Sequence, residues 1–280
     1  MKKVIMIFIL FILSTFVTAC SSDSTSSSSG NSEIKDTKKQ EAKESGKLLT
    51  HDEFIKMLSD PKKHKGSKVE FYAKVFVEPE KDEDGTYLQA YADNNSDRNI
   101  IIGIGDPNLD VATEDVIFVS GTVEDLFEGE NLMGGTVTAP VIKADKIEMT
   151  DYATAFAPAI KTVDVNKEIN QHDYILKLNK VEIADSETRL YITITNNSKD
   201  NISFYSFNSK MVVGNQQFEP EDNYEANYPE IQSDILSGVT SEGIIRFPAI
   251  PESGELRILL EGSSENWDLD FTPFEFQINY

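Results

Sequence analysis

The chain has one cysteine, Cys20, among its 280 residues. No internal disulfide can form, and a multi-cysteine metal site or a paired-thiol redox centre is excluded. There are only three histidines, His51, His64 and His172, and one tryptophan. No histidine stands at ligand spacing from another His, from Cys or from a carboxylate cluster typical of zinc. A phosphate-binding Gly-rich loop, a nucleophile elbow and a His-Glu-x-x-His helix are all missing, and the chain reads as no enzyme with no cofactor. Basic residues are scarce as well, at 26 Lys and Arg against 48 Asp and Glu, for a net charge of −22. Such acidity keeps a protein soluble and repels polyanions. It argues against nucleic acid as a partner and against adhesion to an anionic membrane by charge alone.

A long apolar run is also missing, but a short one is present. Met1-Lys2-Lys3 is followed by an apolar stretch from Val4 to Val17, broken only by Ser14 and Thr15. A membrane-spanning helix needs about 20 apolar residues, so this pattern reads as a secretory leader over residues 1–19. Val17-Thr18-Ala19-Cys20 resembles the bacterial lipobox, in which the cysteine becomes the first mature residue and carries the lipid. The resemblance implies lipidation of Cys20 and an address on the outer face of a cell membrane, as in a Gram-positive lipoprotein. Two acyl chains, at about 0.8 kcal/mol per buried CH₂, anchor a protein stably where one does not. Losing Lys2 and Lys3 with the leader leaves 24 basic residues against 48 acidic, a net charge of −24. Residues 20–47 are Ser-rich and then Lys/Glu-rich, with Ile34 the sole large apolar residue before the segment's last position. That composition cannot bury a core and reads as a disordered tether with a root-mean-square reach of roughly 30 Å.

Residues 48–150 read as one small β domain. Thr50-His51-Asp52-Glu53 is a capping box that opens a short helix with Phe54, Ile55, Met57 and Leu58 on its apolar face, ending before Pro61. Strands follow at Val69–Val77, Thr86–Ala92, Asn99–Ile104, Asp115–Val123 and Gly135–Met149, the last broken at Pro140, with Asp84-Gly85 as a hairpin turn. One helix and five short strands predict a small barrel. The helix, Lys65-Gly66-Ser67-Lys68-Val69 and the Gly121-Thr122-Val123 strand resemble the anticodon-binding-like OB domains of exported bacterial proteins.

Residues 151–171, rich in alanine and lacking clean periodicity, read as a connector. From His172 to the C-terminus the chain shows short strands spaced as in a sandwich: Leu190–Thr195, Ile202–Phe207, Met211–Val213, Gln217-Phe218, Gly243–Phe247, Leu256–Leu260 and Phe274–Ile278. Ile192-Thr193-Ile194-Thr195-Asn196-Asn197-Ser198 and Leu236–Gly243 resemble the telokin-like, immunoglobulin-like extracellular domains of Gram-positive lipoproteins, with Ser237 where those carry proline. The fold class expected is therefore all-β, an OB-type five-stranded barrel with a short helix followed by an immunoglobulin-like sandwich.

Three segments carry chemistry worth weighing. Glu80-x-Asp82-x-Asp84-Gly85 imitates the start of a calcium loop, but the twelfth position is Tyr91 where a bidentate Glu is needed; a hairpin turn accounts for the same residues. Lys62, Lys63, Lys65 and Lys68 form a dense basic cluster that, beside Phe71, Tyr72, Tyr87 and Tyr91, could serve an oligonucleotide-binding barrel face. The third is the loop 219–234, in which Glu219, Glu221, Asp222, Glu225, Glu230 and Asp234 accompany Tyr224 and Tyr228 with no Lys or Arg. Tyrosine at a loop tip favours protein recognition because it offers large contact area at low entropy cost. These eight residues are the candidate partner-binding set. The function expected is a non-enzymatic, lipid-anchored surface protein whose β domains bind a protein or cell-envelope partner. The alternatives are an accessory subunit bracing a membrane complex, and an oligonucleotide- or calcium-binding module.

Overall fold

The computed structural model describes residues 46–130 and 135–280. The leader, Cys20 and all of the tether up to residue 45 lie outside the described residues. The described chain is all-β, a barrel and a sandwich with little helix. It forms two compact units that divide after Ile147, with Asp115–Phe118 grouped with the second.

The first unit begins with helix α1, His51–Ser59. The capping box is formed: the Glu53 amide donates to Thr50 Oγ1 at 3.3 Å, and the Thr50 amide donates to the Glu53 carboxylate at 3.0 Å. Phe54 and Met57 are buried, and Phe54 stacks on Phe71 with ring centroids 4.8 Å apart. The helix stops at Asp60, and Pro61 opens a 3-10 turn to His64, as the clash between proline and a preceding helical residue requires.

Strands β1 (Lys68–Val75), β2 (Glu80–Lys81), β3 (Thr86–Ala92), β4 (Asn99–Ile104), β5 (Val116–Glu130) and β6 (Thr136–Thr150) follow. They pair in the order β1-β5-β6-β4-β3-β2, and β1 also pairs with β3, which closes five strands into a ring. The β4–β6 pair is parallel. At the closing seam Ala73 faces Ala92 and Val75 faces Ala90, so small side chains occupy the interior where the ring tightens. Val69, Phe71, Leu88, Ile100, Ile102, Ile117, Val119 and Ile142 fill the rest. Gly121 permits the close approach of β5 to β6, because a Cβ there would lie 2.6 Å from the Lys143 carbonyl oxygen. β3 and β4 coincide with the expected strands. β6 runs unbroken through Pro140, since its ladder to β4 starts only at Val141.

The second unit starts with helix α2 (Tyr152–Phe156), capped by Asp151 Oδ1 on the Thr154 amide at 2.8 Å. Its strands are β7 (Ala159–Gln171), β8 (Tyr174–Ala184), β9 (Glu187–Asn196), β10 (Ile202–Phe204), β11 (Lys210–Val213), β12 (Gln216–Phe218), β13 (Asp234–Ile235), β14 (Thr240–Pro248), β15 (Glu255–Leu260), β16 (Gly262–Ser264) and β17 (Phe274–Asn279). They form a four-stranded sheet β14-β9-β8-β7, a second four-stranded sheet β12-β11-β15-β17 and a small sheet β13-β10-β16. One apolar core gathers Leu176, Leu178, Leu190, Ile192 and Ile194 with Phe204, Phe247, Leu256, Ile258 and Phe276.

Residues 159–171, expected as part of a connector, are instead the edge strand β7. Its register with β8 breaks twice, between Ala159 and Lys161 and between Asp164 and Lys167, and polar residues hold most of its positions, so its alternation is faint in sequence. Its outer face meets solvent, and only Val163, Val165 and Ile169 pack on the core. His172 and Asp173, both at positive φ, form the two-residue turn into β8 that a tight hairpin demands. The Asn-Asn-Ser motif has a similarly concrete role. Buried Asn196 donates to the Asp200 and Ile235 carbonyls at 2.9 and 3.0 Å and accepts from the Ser198 amide and hydroxyl. It thereby ties the turn after β9 to β13.

Candidate functional site

The 219–234 loop lies along β14. Strand β14 has β9 on one side only, and an open strand edge is a template for unwanted pairing. The loop covers it. The Glu221 amide donates to the Arg246 carbonyl at 3.0 Å, and the Ile244 amide to the Pro229 carbonyl at 2.8 Å. The Gln232 amide donates to Ser241 Oγ at 3.0 Å. Gly243 makes this fit possible, because a Cβ there would sit 2.7 Å from both the Pro229 oxygen and Ile231.

Beneath the loop a row of charges crosses the solvent face of the sheet, where alternation along β8, β9 and β14 puts every second side chain opposite the core. Glu182 faces Arg189 across β8–β9, and Arg189 faces Arg246 across β9–β14. Two arginines directly opposed repel, and carboxylates resolve the conflict. Glu187, 1% exposed, accepts from Arg189 at 2.7 Å and from Arg246 Nε at 2.9 Å. Glu182 accepts two bonds from Arg189, at 2.9 and 3.1 Å, one from Tyr191 at 2.7 Å and one from Lys180. Glu221 of the loop pairs with Arg246 at 3.1 Å. Arg189, itself 1% exposed, also donates to the Ala157 carbonyl at 2.8 Å.

Tyr228 joins the loop to this network. Its hydroxyl donates to Glu187 and accepts from Arg189 at 3.4 Å, and Tyr152 of α2 meets its ring edge-on at 6.2 Å. Burial pushes Glu187 and Glu182 upward, but the hydrogen bonds they accept outweigh it and hold both below the usual carboxylate range. The same burial and the adjacent carboxylates push the Tyr228 hydroxyl up, and Tyr191 up to about 12. Charges this well compensated hold one protonation state through neutral pH, so the network acts as a latch that fixes the loop.

Above the latch is a cleft of about 400 Å³. Five of the eight sequence-derived candidates line it: Glu221, Asp222, Tyr224, Tyr228 and Glu230. Tyr224 is 87% exposed and donates to Asp222 at 3.1 Å, which raises the affinity of its own hydroxyl for the proton. The other three lie elsewhere. Glu219 pairs with Lys210 at 2.8 Å, Asp234 accepts from Ser203 Oγ at 3.2 Å within the β10–β13 pair, and Glu225 is exposed outside the lining.

Among the lining residues outside the sequence-derived set, Phe207 adds an exposed ring and Arg246 a charge. Phe207, expected as the end of a strand, falls in a 3-10 turn after β10 and is 71% exposed. Arg246 reaches the cleft from β14. Among the charged lining residues Glu221, Asp222 and Glu230 stand against Arg246, a balance of −2.

The other candidate segments resolve differently. Asp82 Oδ1 accepts the amides of Asp84 and Gly85 at 2.8 and 3.0 Å, the arrangement of a hairpin turn. No group of three or more His, Cys, Asp and Glu placed to hold a metal ion occurs among the described residues. Each of the four barrel lysines has a carboxylate partner: Lys62 with Glu128, Lys63 with Asp60, Lys65 with Asp125 and Lys68 with Asp145. That surface is mixed in sign. His172 bonds through Nε2 to the Asp270 carbonyl at 3.0 Å and packs edge-on against Phe271. No helix among the described residues is long and apolar enough to cross a membrane.

No family model matches the chain, and no curated protein matches it. A solved structure described as the crystal structure of a functionally unknown protein from Listeria monocytogenes EGD-e is similar to part of it. The identity is 11% and the TM-score 0.33, over 44% of this chain and 86% of that one. A likeness this weak carries no argument about fold or function.

Proposed function

We propose that this protein is a non-enzymatic recognition module held on the outer face of a cell membrane by a lipid on Cys20, with its protein partner bound at the cleft over β14. In this reading the first unit is an OB-type barrel and the second an immunoglobulin-like domain. The ring order supports the first assignment, since five strands close with a parallel β4–β6 pair, as a Greek-key barrel with one crossover does.

The observation that carries the function is the pairing of a rigid frame with an exposed rim. Loop backbone is hydrogen-bonded to β14, and Tyr228 is pinned by Glu187. Tyr224 and Phe207 meanwhile stand out in water beside Asp222 and Glu230. Aromatics held by a framework that is already ordered lose little further entropy on binding. A net-negative rim with aromatic faces fits Lys and Arg side chains, through charge and through cation–π contact worth about 0.5–2 kcal/mol each. The buried carboxylates and arginines beneath the cleft are engaged with one another, so they fix its frame. The pairing of the four barrel lysines with carboxylates weighs against an oligonucleotide on that face.

A photo-reactive amino acid placed at position 224 in the full chain on intact cells tests the reading. A discrete protein adduct that fades in the double variant Asp222→Lys/Glu230→Lys supports it. No adduct, or one indifferent to those reversals, overturns it. Deleting the whole loop would be a poor substitute, because it also strips the edge of β14 and removes Tyr228 from the latch.

A further inference from the structure

We infer that Trp267 is a second, independent docking anchor, built to enter an apolar pocket on a protein surface rimmed by Lys and Arg. It is the sole tryptophan of the chain and, at 95% exposed, the most exposed large apolar side chain among the described residues. An indole ring offers 150–250 Å² of contact area, and tryptophan is the residue most enriched among interface hot spots.

Exposure alone would mean little on a loose loop, but this loop is tied at both ends. On the entry side the Glu265 amide donates to the Asn201 carbonyl at 3.0 Å, and Asn266 Nδ2 donates to the Asp200 carboxylate at 3.3 Å. The turn is closed on Asn266, whose Oδ1 accepts the Asp268 amide at 3.1 Å and whose carbonyl accepts the Leu269 amide at 3.2 Å. On the exit side His172 bonds the Asp270 carbonyl, and Gln171 bonds the Thr272 amide and carbonyl at 3.0 and 2.9 Å. Phe271 packs on His172 and Tyr174. The indole therefore projects from a preformed support, and binding immobilises little else.

The surroundings select the partner. Glu265, Asp268 and Asp270 share the loop with Trp267, and the neighbouring turn adds Lys199 and Asp200, for a balance of −3. This repels the headgroups of an anionic membrane and attracts a basic rim. The neighbouring loop extends the apolar character. Leu236 and Val239 are also exposed, and their loop is bonded to the same 196–200 turn through Gly238 to Asn196 at 2.7 Å and Ser237 to Ser198 at 2.5 Å.

Because Trp267 is the only tryptophan, its fluorescence reports this surface alone. The full chain is titrated with a synthetic peptide alternating Lys and Leu, with its Glu/Leu counterpart, with phosphatidylcholine vesicles with and without phosphatidylglycerol, and with N-acetylglucosamine oligomers. The expected result is a water-like emission in the free chain that shifts to the blue, with severalfold weaker acrylamide quenching, for the Lys/Leu peptide alone. The shift should vanish in Asp268→Lys/Asp270→Lys and persist in Asp222→Lys/Glu230→Lys, which separates this surface from the cleft. A shift driven by vesicles or sugar, no shift with any probe, or a free chain already shielded from acrylamide each overturns the inference.

Discussion

Replacing Arg189 with methionine should selectively destabilise the second unit. The guanidinium donates two bonds to Glu182, one to Glu187, one to the Ala157 carbonyl and a long one to Tyr228. Methionine keeps much of the volume and removes all of them. Breaking a buried ion pair from one side costs about 3–5 kcal/mol. Here the lower end applies, because neither carboxylate is left alone: Glu187 keeps Arg246 and Tyr228, and Glu182 keeps Lys180 and Tyr191. A loss of about 3 kcal/mol in a domain of this size lowers Tm by roughly 10 °C. Calorimetry on the full chain reads this as a shift of one transition while that of the barrel stays in place. Hydrogen exchange should show the Ile244 amide, which bonds the Pro229 carbonyl, losing protection together with the loop. Adding Glu187→Gln to Arg189→Met should cost less than the two single losses summed, since the second change removes a charge the first left under-compensated. An Arg189→Met protein with unchanged Tm, or with strictly additive losses, would refute the view of this network as the latch of the loop.

Acid should release the same latch. Glu182 and Glu187 are held below their ordinary value of 4.5 by the hydrogen bonds they accept, so their contribution is complete above about pH 5 and is lost as pH falls through 4.5 toward the folded values. Urea midpoints of the second unit should follow that course, with a flatter profile in Glu187→Gln. Gly243→Val should drive Pro229 and Ile231 off β14 and cost about 1–3 kcal/mol, read as faster proteolysis within 219–234; unchanged cleavage would contradict the edge-cover role of the loop. Cys20→Ala should shift the protein from the membrane fraction to unprocessed or released forms, and undisturbed membrane attachment would sink the anchor.

Much of the architecture could be read from local pattern. α1 announces itself through Thr50 and Glu53, and β3 and β4 through dense β-branched and aromatic runs that end where the structure ends them. β7 was overlooked because this edge strand sets only Val163, Val165 and Ile169 against the core among mostly polar residues, an alternation too sparse to stand out. The 219–234 loop was located by its composition, but its partners were not. Tyr228 meets Glu187 across 41 residues, and Glu221 meets Arg246 across 25. Likewise the lysine cluster looked like one basic patch because Glu128, Asp125 and Asp145 lie 60 to 77 residues away. Pairings of that span come from strand register, which one sequence encodes only through the whole fold. Phe207 was misread as the end of a strand because Ile202–Phe207 is rich in apolar and aromatic residues, but the chain turns at Ser206 and puts the ring into water.

The most direct measurement of the central claim is a calorimetric titration of the partner captured at position 224, purified, against the full chain and its Asp222→Lys/Glu230→Lys variant. The account predicts an affinity at least about tenfold weaker for the variant, a loss of about 1.4 kcal/mol, with Tm unchanged because neither side chain belongs to the latch. Equal affinity for both proteins would contradict it.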